Sequence, residues 1–380
     1  MRSRFLTVLV ILAAVHVYVG IRILPDLPID NAARALGWLW LAASIVLMPA
    51  GVSAYRLAQP HADRVAWAGL LAMGFFSSLF VGTLLRDVVL LVATLAGAAS
   101  PHFVMWSAVA VPVVALATTL IGFINARRVA AIVDVDVPID NLPPDLHGFT
   151  IAQISDIHVG PTIKRRYLDA IVDKVNRIGA DVVAVTGDLV DGSVHQLAPH
   201  TAPLARLQAR HGAFLVTGNH EYYSNAHAWI DEFERLGLRV LMNEHVVLQH
   251  NNAAVLLAGV PDYTAHHFDP THKSDPHKAL AGAPGDVAVK LLLAHQPRTA
   301  LTAVEAGYDL QLSGHTHGGQ FFPWNFFVPL QQPFVAGLKR LEKLWVYTSR
   351  GTGYWGPPKR FLAPSEITRL RLVPAVLPAI

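Results

Sequence analysis

The sequence predicts an all-α transmembrane bundle followed by an α/β domain in which a layered sheet sandwich is flanked by helices. Three observations predict this. Composition changes abruptly near residue 125, four long apolar stretches precede that point, and strand-like runs alternate with helix-like ones after it. Of the 380 residues, 53% are hydrophobic and only 15% charged, with a mean hydropathy of +0.39. A disordered chain is excluded, because it would be poor in apolar groups and rich in charge. An ordinary soluble enzyme, with about a quarter of its residues charged, is a poor match. The net charge of +3 is too small to imply a nucleic-acid partner. There is no cysteine, which rules out disulfides, thiolate catalysis and zinc–thiolate sites. Any metal must use nitrogen and oxygen ligands, which 19 histidines make practicable.

The first half, residues 1–127, carries apolar stretches at Phe5–Leu24, Leu36–Tyr55, Val65–Gly97 and Phe103–Ile124. Each is long enough to cross a hydrocarbon layer of about 30 Å at about 1.5 Å per residue. The first lacks a small-x-small cleavage site before Pro25, so it reads as an uncleaved helix rather than a signal peptide. Arg86 and Asp87 interrupt the third, where an isolated charge costs on the order of 3 kcal/mol. Two readings are open: one long helix whose charges face partners inside the bundle, or two shorter spans with a turn at Arg86–Asp87. With four spans, Arg2, Arg4, Arg56, Arg64, Arg127 and Arg128 fall on one side against Arg22 and Arg34 on the other. The positive-inside rule makes the richer side cytoplasmic. The expectation is therefore a four-span protein of the cell (inner) membrane with a cytoplasmic C-terminal domain.

Residues 128–380 have the pattern of a globular α/β domain. Strand-like runs lie at Phe149–Ile154, Asp181–Thr186, Ala213–Thr217, Val255–Gly259, Val289–Ala294, Asp309–Leu312 and Leu344–Thr348. Lys164–Ile178 and Ala226–Leu236 show the three-to-four spacing of amphipathic helices. Pro138–Pro144 reads as an extended lead-in to the domain. Polar residues cluster just after the strand ends: Asp156-Ile157-His158, Gly187-Asp188 with Asp191, Gly218-Asn219-His220-Glu221, His295, and Gly314-His315-Thr316-His317-Gly318. Strand carboxyl ends are where open α/β sheets bind ligands. An Asp-x-His alone reads as well as a capping aspartate beside a surface histidine. The order, placement and flanking glycines of five such elbows point instead to a metal site built from loops.

These motifs resemble the calcineurin-like metallophosphoesterase superfamily, whose pattern is DxH, GDxxD, GNH(E/D), a lone His after a strand, and GHxH. The resemblance spans roughly residues 128–375, and Thr348-Ser349-Arg350-Gly351 with Pro357-Pro358 and Arg360-Phe361 is similar to its bacterial membrane-associated branch. That branch includes phosphodiesterases and one type of UDP-2,3-diacylglucosamine hydrolase. The resemblance implies a four-layer αββα sandwich carrying two divalent metal ions. Asp156, His158 and His317 would bind the first, Asn219, His295 and His315 the second, and Asp188 would bridge them. His220 would be the catalytic acid or transition-state stabiliser, and Asp191 and Glu221 would orient the ligands. Such a site clamps phosphoryl oxygens and turns a bridging water into hydroxide for in-line attack. Manganese is the first expectation, with iron or zinc also suited to mixed nitrogen and oxygen ligands.

Several residues carry two readings. Arg350 and Gly351 are candidates for substrate binding near the site. Lys164, Arg165 and Arg166 read as a solvated helix face or an anion site, and His266, His267, His272 and His277 as surface residues or a lid. Phe321, Phe322, Trp324, Phe326 and Phe327 read as packing against the sheet or as an apolar surface that admits an acyl chain. The expected function is a membrane-bound phosphohydrolase of a phosphodiester or pyrophosphate, with a lipid-linked substrate as the favoured case. The alternatives are a membrane-anchored phosphoesterase of soluble nucleotides and a non-enzymatic metal-binding receptor. Oligomeric state leaves no trace in the sequence.

Overall fold

The apolar runs of the first half become four helices, α1 (Arg2–Ile23), α2 (Asn31–Val52), α3 (His61–Leu95) and α4 (Pro101–Arg127). All four are long and apolar enough to cross a membrane. The computed structural model describes residues 2–375, and the side chains of residues 2–5, including the Arg2 and Arg4 charges, lie outside what it describes. It divides into a helical unit, reaching Asn125 and including Gly356–Phe361, and a second unit of Ala126–Trp355 with the chain from Leu362 onward.

Within the helical unit the third apolar stretch is one unbroken helix of 35 residues, with no turn at Arg86–Asp87. The physical reason is that both charges have partners. The Arg86 guanidinium is buried and donates to the Arg22 carbonyl, the Asp26 carboxylate, the Val104 carbonyl and the Ser107 hydroxyl. Arg22 lies in the last turn of α1, so Arg86 satisfies a carbonyl that has no partner within its own helix, and complements the negative end of that helix. Asp87 accepts from Arg22 at 2.8 Å and from the Tyr18 hydroxyl at 2.7 Å. Helices α2 and α3 approach closely because glycines meet, a β-carbon on Gly51 falling 2.8 Å from the Gly69 Cα. The hexapeptide Gly356–Phe361 joins this unit through Lys359, whose ammonium donates to the Gly74 carbonyl, Ser78 and Thr119.

The second unit contains, in order, β1 (Ala131–Ile139), β2 (Thr150–Ile154), α5 (Arg165–Asn176), β3 (Val182–Val185), α6 (Val194–Thr201), β4 (Ala213–Leu215), α7 (Asn219–Tyr223), α8 (Ala226–Arg235), β5 (Arg239–Val240), β6 (Glu244–His250), β7 (Ala253–Gly259), α9 (Pro276–Ala279), β8 (Val289–Leu293), α10 (Ala300–Ala306), β9 (Leu310–Ser313), β10 (Gly337–Leu341), β11 (Leu344–Thr348) and β12 (Glu366–Pro374). They form two six-stranded mixed sheets, ordered β1-β12-β2-β3-β4-β5 and β10-β11-β9-β8-β7-β6. The inner faces share one core, in which Ile151, Val182 and Phe214 of the first sheet meet Leu257, Leu291 and Leu312 of the second. Leu168, Ile171 and Trp229 pack helices on the outer face of the first sheet, and Ala300 and Ala303 pack α10 on that of the second. The result is the four-layer αββα sandwich.

The lead-in expected at Pro138–Pro144 is partly strand, since β1 runs through Pro138 to Ile139. Proline is tolerated there because β1 is an edge strand. Its partner β12 lies more than 200 residues away, with Ala131 paired to Glu366 and Ile139 to Pro374.

The buried position of Arg86 yields a prediction. Arg86→Met strands the Asp26 carboxylate and the Arg22 carbonyl, and should destabilise the helical unit by about 1–3 kcal/mol. Asp87→Asn removes a more exposed pair and should cost less. Thermal unfolding of both variants in detergent micelles, followed by helical circular dichroism, reads the order.

Candidate metal centre

All five polar elbows follow strands of the two sheets whose carboxyl ends converge. Asp156 and His158 follow β2, Asp188 and Asp191 follow β3, and Asn219 to Glu221 follow β4. His295 follows β8, and His315 and His317 follow β9. Backbone bonds tie the elbows edge to edge: Asp156 N–H donates to the Gly187 carbonyl at 3.0 Å, His158 N–H to Asp188 at 3.1 Å, and Gly314 N–H to His295 at 2.9 Å. Gly187 has φ +85, and a β-carbon there would come within 2.8 Å of His295 Nδ1, so no larger residue fits this turn.

Two clusters of donors result. Asp156, His158 and His317 offer ligand atoms within 4.8 Å of one another, as do Asp188, His295 and His315. Asn219 Oδ1 joins the second cluster, 3.1 Å from His315 Nδ1. The Asp188 carboxylate lies between them, its Oδ2 3.1 Å from His295 Nε2 and 3.9 Å from His158 Nε2. His158 and His317 turn their Nε2 atoms towards each other at 3.1 Å, and Asp156 Oδ1 is 3.5 Å from His317 Nε2. His158 Nδ1 is engaged by Asp191, which leaves its Nε2 lone pair facing inward when the ring is neutral. Nitrogen and carboxylate donors this close suit divalent cations of the manganese, iron and zinc type.

Three side chains hold this geometry. Glu221 is fully buried and accepts the backbone N–H of Asp188 at 2.9 Å, of Leu189 at 2.7 Å and of Gly218 at 2.7 Å, clamping two elbows together. Asp191 Oδ1 accepts from both His158 Nδ1 at 3.2 Å and His220 Nδ1 at 2.6 Å. His295 Nδ1 donates to the Thr186 carbonyl at 2.7 Å, which points Nε2 at Asp188.

The electrostatics follow from burial and mutual proximity. Burial, opposed by His295 and reinforced by Asp188, raises the Asp156 carboxyl. Burial also acts to raise Asp188, but the imidazoles of His295, His220 and His158 outweigh it and hold Asp188 well below the usual carboxylate range. Burial and the charge of Asp188 push Glu221 up to about 7. His220 is raised to about 9, because Asp188 and Asp191 outweigh the lowering by burial. Burial and His295 bring His315 down to about 3, leaving it a neutral donor.

The remaining candidates lie around this centre. Arg350 pairs with Glu366 at 2.9 Å and runs along the turn after His317, its Cγ 3.0 Å from where a β-carbon on Gly318 would sit. Gly351 is a buried turn residue whose N–H donates to Ser349 Oγ. Arg165 makes an exposed pair with Asp169. Of the five aromatic residues behind the His-x-His turn, Phe321 is buried, but Phe322, Trp324, Phe326 and Phe327 are exposed. Sequence reasoning missed Tyr223 and Trp355, whose rings lie 5.1 Å and 5.6 Å from the His220 ring. It also missed the buried Asp262, which accepts from Gln296 at 2.9 Å. Asp262 follows β7, so the strand-end rule could have found it; for Trp355 no local signal exists.

The calcineurin-like phosphoesterase family model matches residues 149–319, a span that holds all five elbows. An uncharacterized metallophosphoesterase of Campylobacter jejuni is 36% identical over 317 residues, covering 80% of this chain and 82% of that one. The chain belongs to the calcineurin-like metallophosphoesterase family. The matched residues 149–319 all lie within its second unit. Proteins described as "Transmembrane protein with metallophosphoesterase domain" are 41% identical over 265 residues in Bos taurus and 39% over 259 residues in Danio rerio. These alignments take in 67% and 66% of this chain, which spans about three fifths of each vertebrate relative's length.

The Glu221 clamp is testable. In Glu221→Gln the amide nitrogen must face at least one of three N–H donors, so one hydrogen bond is lost and two donors oppose. The variant should lose about 1–3 kcal/mol of stability. Denaturant unfolding of the full chain, with and without chelator, measures it.

Proposed function

We propose that this chain is a membrane-bound phosphohydrolase with two divalent metal ions, acting on an amphiphilic phosphodiester or pyrophosphate. The observation that carries the reading is the pair of donor clusters meeting at the Asp188 carboxylate. In this reading Asp156, His158 and His317 hold one ion, Asn219, His295 and His315 hold the other, and Asp188 serves both. When bound, two such cations supply Lewis acidity to the phosphoryl group. Manganese is the first candidate, with iron and zinc compatible with the same donors.

The protein's own part is positioning and proton transfer. His220 is locked to Asp191 through Nδ1, which directs Nε2 towards the centre, 3.9 Å from Asp188 Oδ2. Held protonated by the two carboxylates, it is suited to give a proton to the leaving oxygen. Arg350, with Gly351 setting the turn, is a candidate for steadying a substrate anion beside Gly318. The amphiphilic substrate is supported by apolar surface on the same unit. Phe322, Trp324, Phe326 and Phe327 stand exposed behind the His-x-His turn, and Tyr223 and Trp355 flank His220. Four helices fit to cross a membrane support presentation at a lipid surface, and the arginine asymmetry supports a cytoplasmic catalytic domain.

The test is turnover of an aryl phosphodiester by the full chain loaded with Mn2+. Chelation should abolish turnover and lower the melting temperature, and added Mn2+ should restore both. Asp188→Asn should reduce turnover by more than about a hundredfold, because even outer partners of metal ligands cost about 10–100-fold. Absence of turnover by metal-loaded protein rejects the phosphodiesterase reading. Faster turnover of soluble nucleotides than of a detergent-presented lipid phosphodiester rejects the amphiphilic substrate. A C-terminal reporter active only outside the cytoplasm rejects the orientation.

A further inference from the structure

Of the loop histidines that follow β7, His272 meets a partner set from another element. His227, in the first turn of α8, places Nε2 2.9 Å from Asp269 Oδ2. His272 Nε2 lies 3.9 Å from the same oxygen, and the two imidazole centroids are 4.8 Å apart. All three side chains offer ligand atoms within 4.8 Å of one another. Donors sharing a tetrahedral cation at bonds of about 2.0–2.1 Å stand about 3.3 Å apart, a value these two distances bracket.

Both ends of the group are prepared from outside. Asp269 Oδ1 is occupied by the Thr271 N–H at 2.8 Å and the Thr271 hydroxyl at 2.7 Å, so Oδ2 is the atom turned to the histidines. His272 Nδ1 lies 2.9 Å from the Tyr222 hydroxyl, which directs Nε2 to the carboxylate. A hydrogen bond on the far ring nitrogen is what fixes the orientation of a metal-binding imidazole. The hydrogen bonds from Thr271 hold Asp269 down to about 2, and burial lowers His272.

We propose that His227, Asp269 and His272 bind a further divalent transition-metal ion of the zinc class, at a site separate from the centre around Asp188. Two imidazoles and one carboxylate suit zinc. The ion ties the loop after β7 to α8. It also reaches the catalytic elbow, because Tyr222 directly follows Glu221 and its hydroxyl accepts from Thr217 at 3.4 Å. Phe268, on the same loop, lies 5.6 Å from Tyr223, the ring that flanks His220. The ion thus acts as a brace for the aromatic wall beside the centre.

The test is zinc titration of the full-length protein in detergent, stripped of metal beforehand, read by calorimetry and by metal content after desalting. His227→Ala and Asp269→Asn are the variants. His227 is 66% exposed, so its replacement should leave the fold intact, with circular dichroism as the check. The unsubstituted protein should bind one equivalent more than either variant. Tyr222→Phe should weaken that equivalent roughly tenfold or more. Retention of the extra equivalent by His227→Ala, or equal zinc binding by the unsubstituted protein and both variants, overturns the proposal. Because the reading is a difference between proteins, it stands whether or not the central histidines bind two ions.

Discussion

The burial of one carboxylate, Asp188, governs the architecture of the second unit. A charge taken out of water costs several kcal/mol unless it is paired and hydrogen-bonded. Asp188 is nearly inaccessible, and its surroundings are arranged to keep it ionised. His295 approaches Oδ2, the His220 N–H donates to Oδ1 at 2.9 Å, and Glu221 holds its backbone. Asp188 sits in the elbow just after β3, so a slip of that strand would carry the elbow away from those after β2 and β4. The register of the parallel strands β2, β3 and β4 is therefore the site's first requirement.

The same arrangement stores strain. Asp156, His158, Asp188, His315 and His317 all have left-handed backbone, with φ between 51 and 71. Each such residue costs on the order of 1–3 kcal/mol. Regular turns would have aimed these side chains elsewhere, so the strain accompanies their convergence. The compensation is the doubly layered core beneath, in which nearly every inward residue of β2, β3, β7, β8 and β9 is fully buried. A rigid sandwich beneath offsets the cost of holding these side chains in one orientation.

The helical unit solves the opposite problem. Its outer surface is apolar, with Leu36, Val46, Leu84, Val88 and Val113 exposed, and its interior holds the polar groups. Arg86 is the main case: it lies within an apolar run, yet it is bonded to Arg22 at the end of α1, to Asp26 just beyond it, and to Val104 and Ser107 of α4. Lys359 is a second, since an ammonium from a distant part of the chain caps carbonyl and hydroxyl groups of α3 and α4. Ionisable groups inside such a bundle usually pair with one another or with backbone carbonyls.

Much of the fold was legible because local rules carried it. Hydropathy located four helices, and strand-end polarity located Asp156, Asp188, Asn219, His295, His315 and His317 before any contact was known. These are signals written in adjacent residues, and the geometry brings those side chains into one place. Other features were beyond local reading. The pairing of β1 with β12, the Arg86–Asp26 contact, Trp355 beside His220 and the His227–Asp269–His272 group all join residues far apart in the chain. The sequence by itself determined which residues have the chemistry and which strands and helices present them. Tertiary structure alone decided which of them meet, because contact between distant side chains depends on sheet order, register and packing rather than on any local pattern.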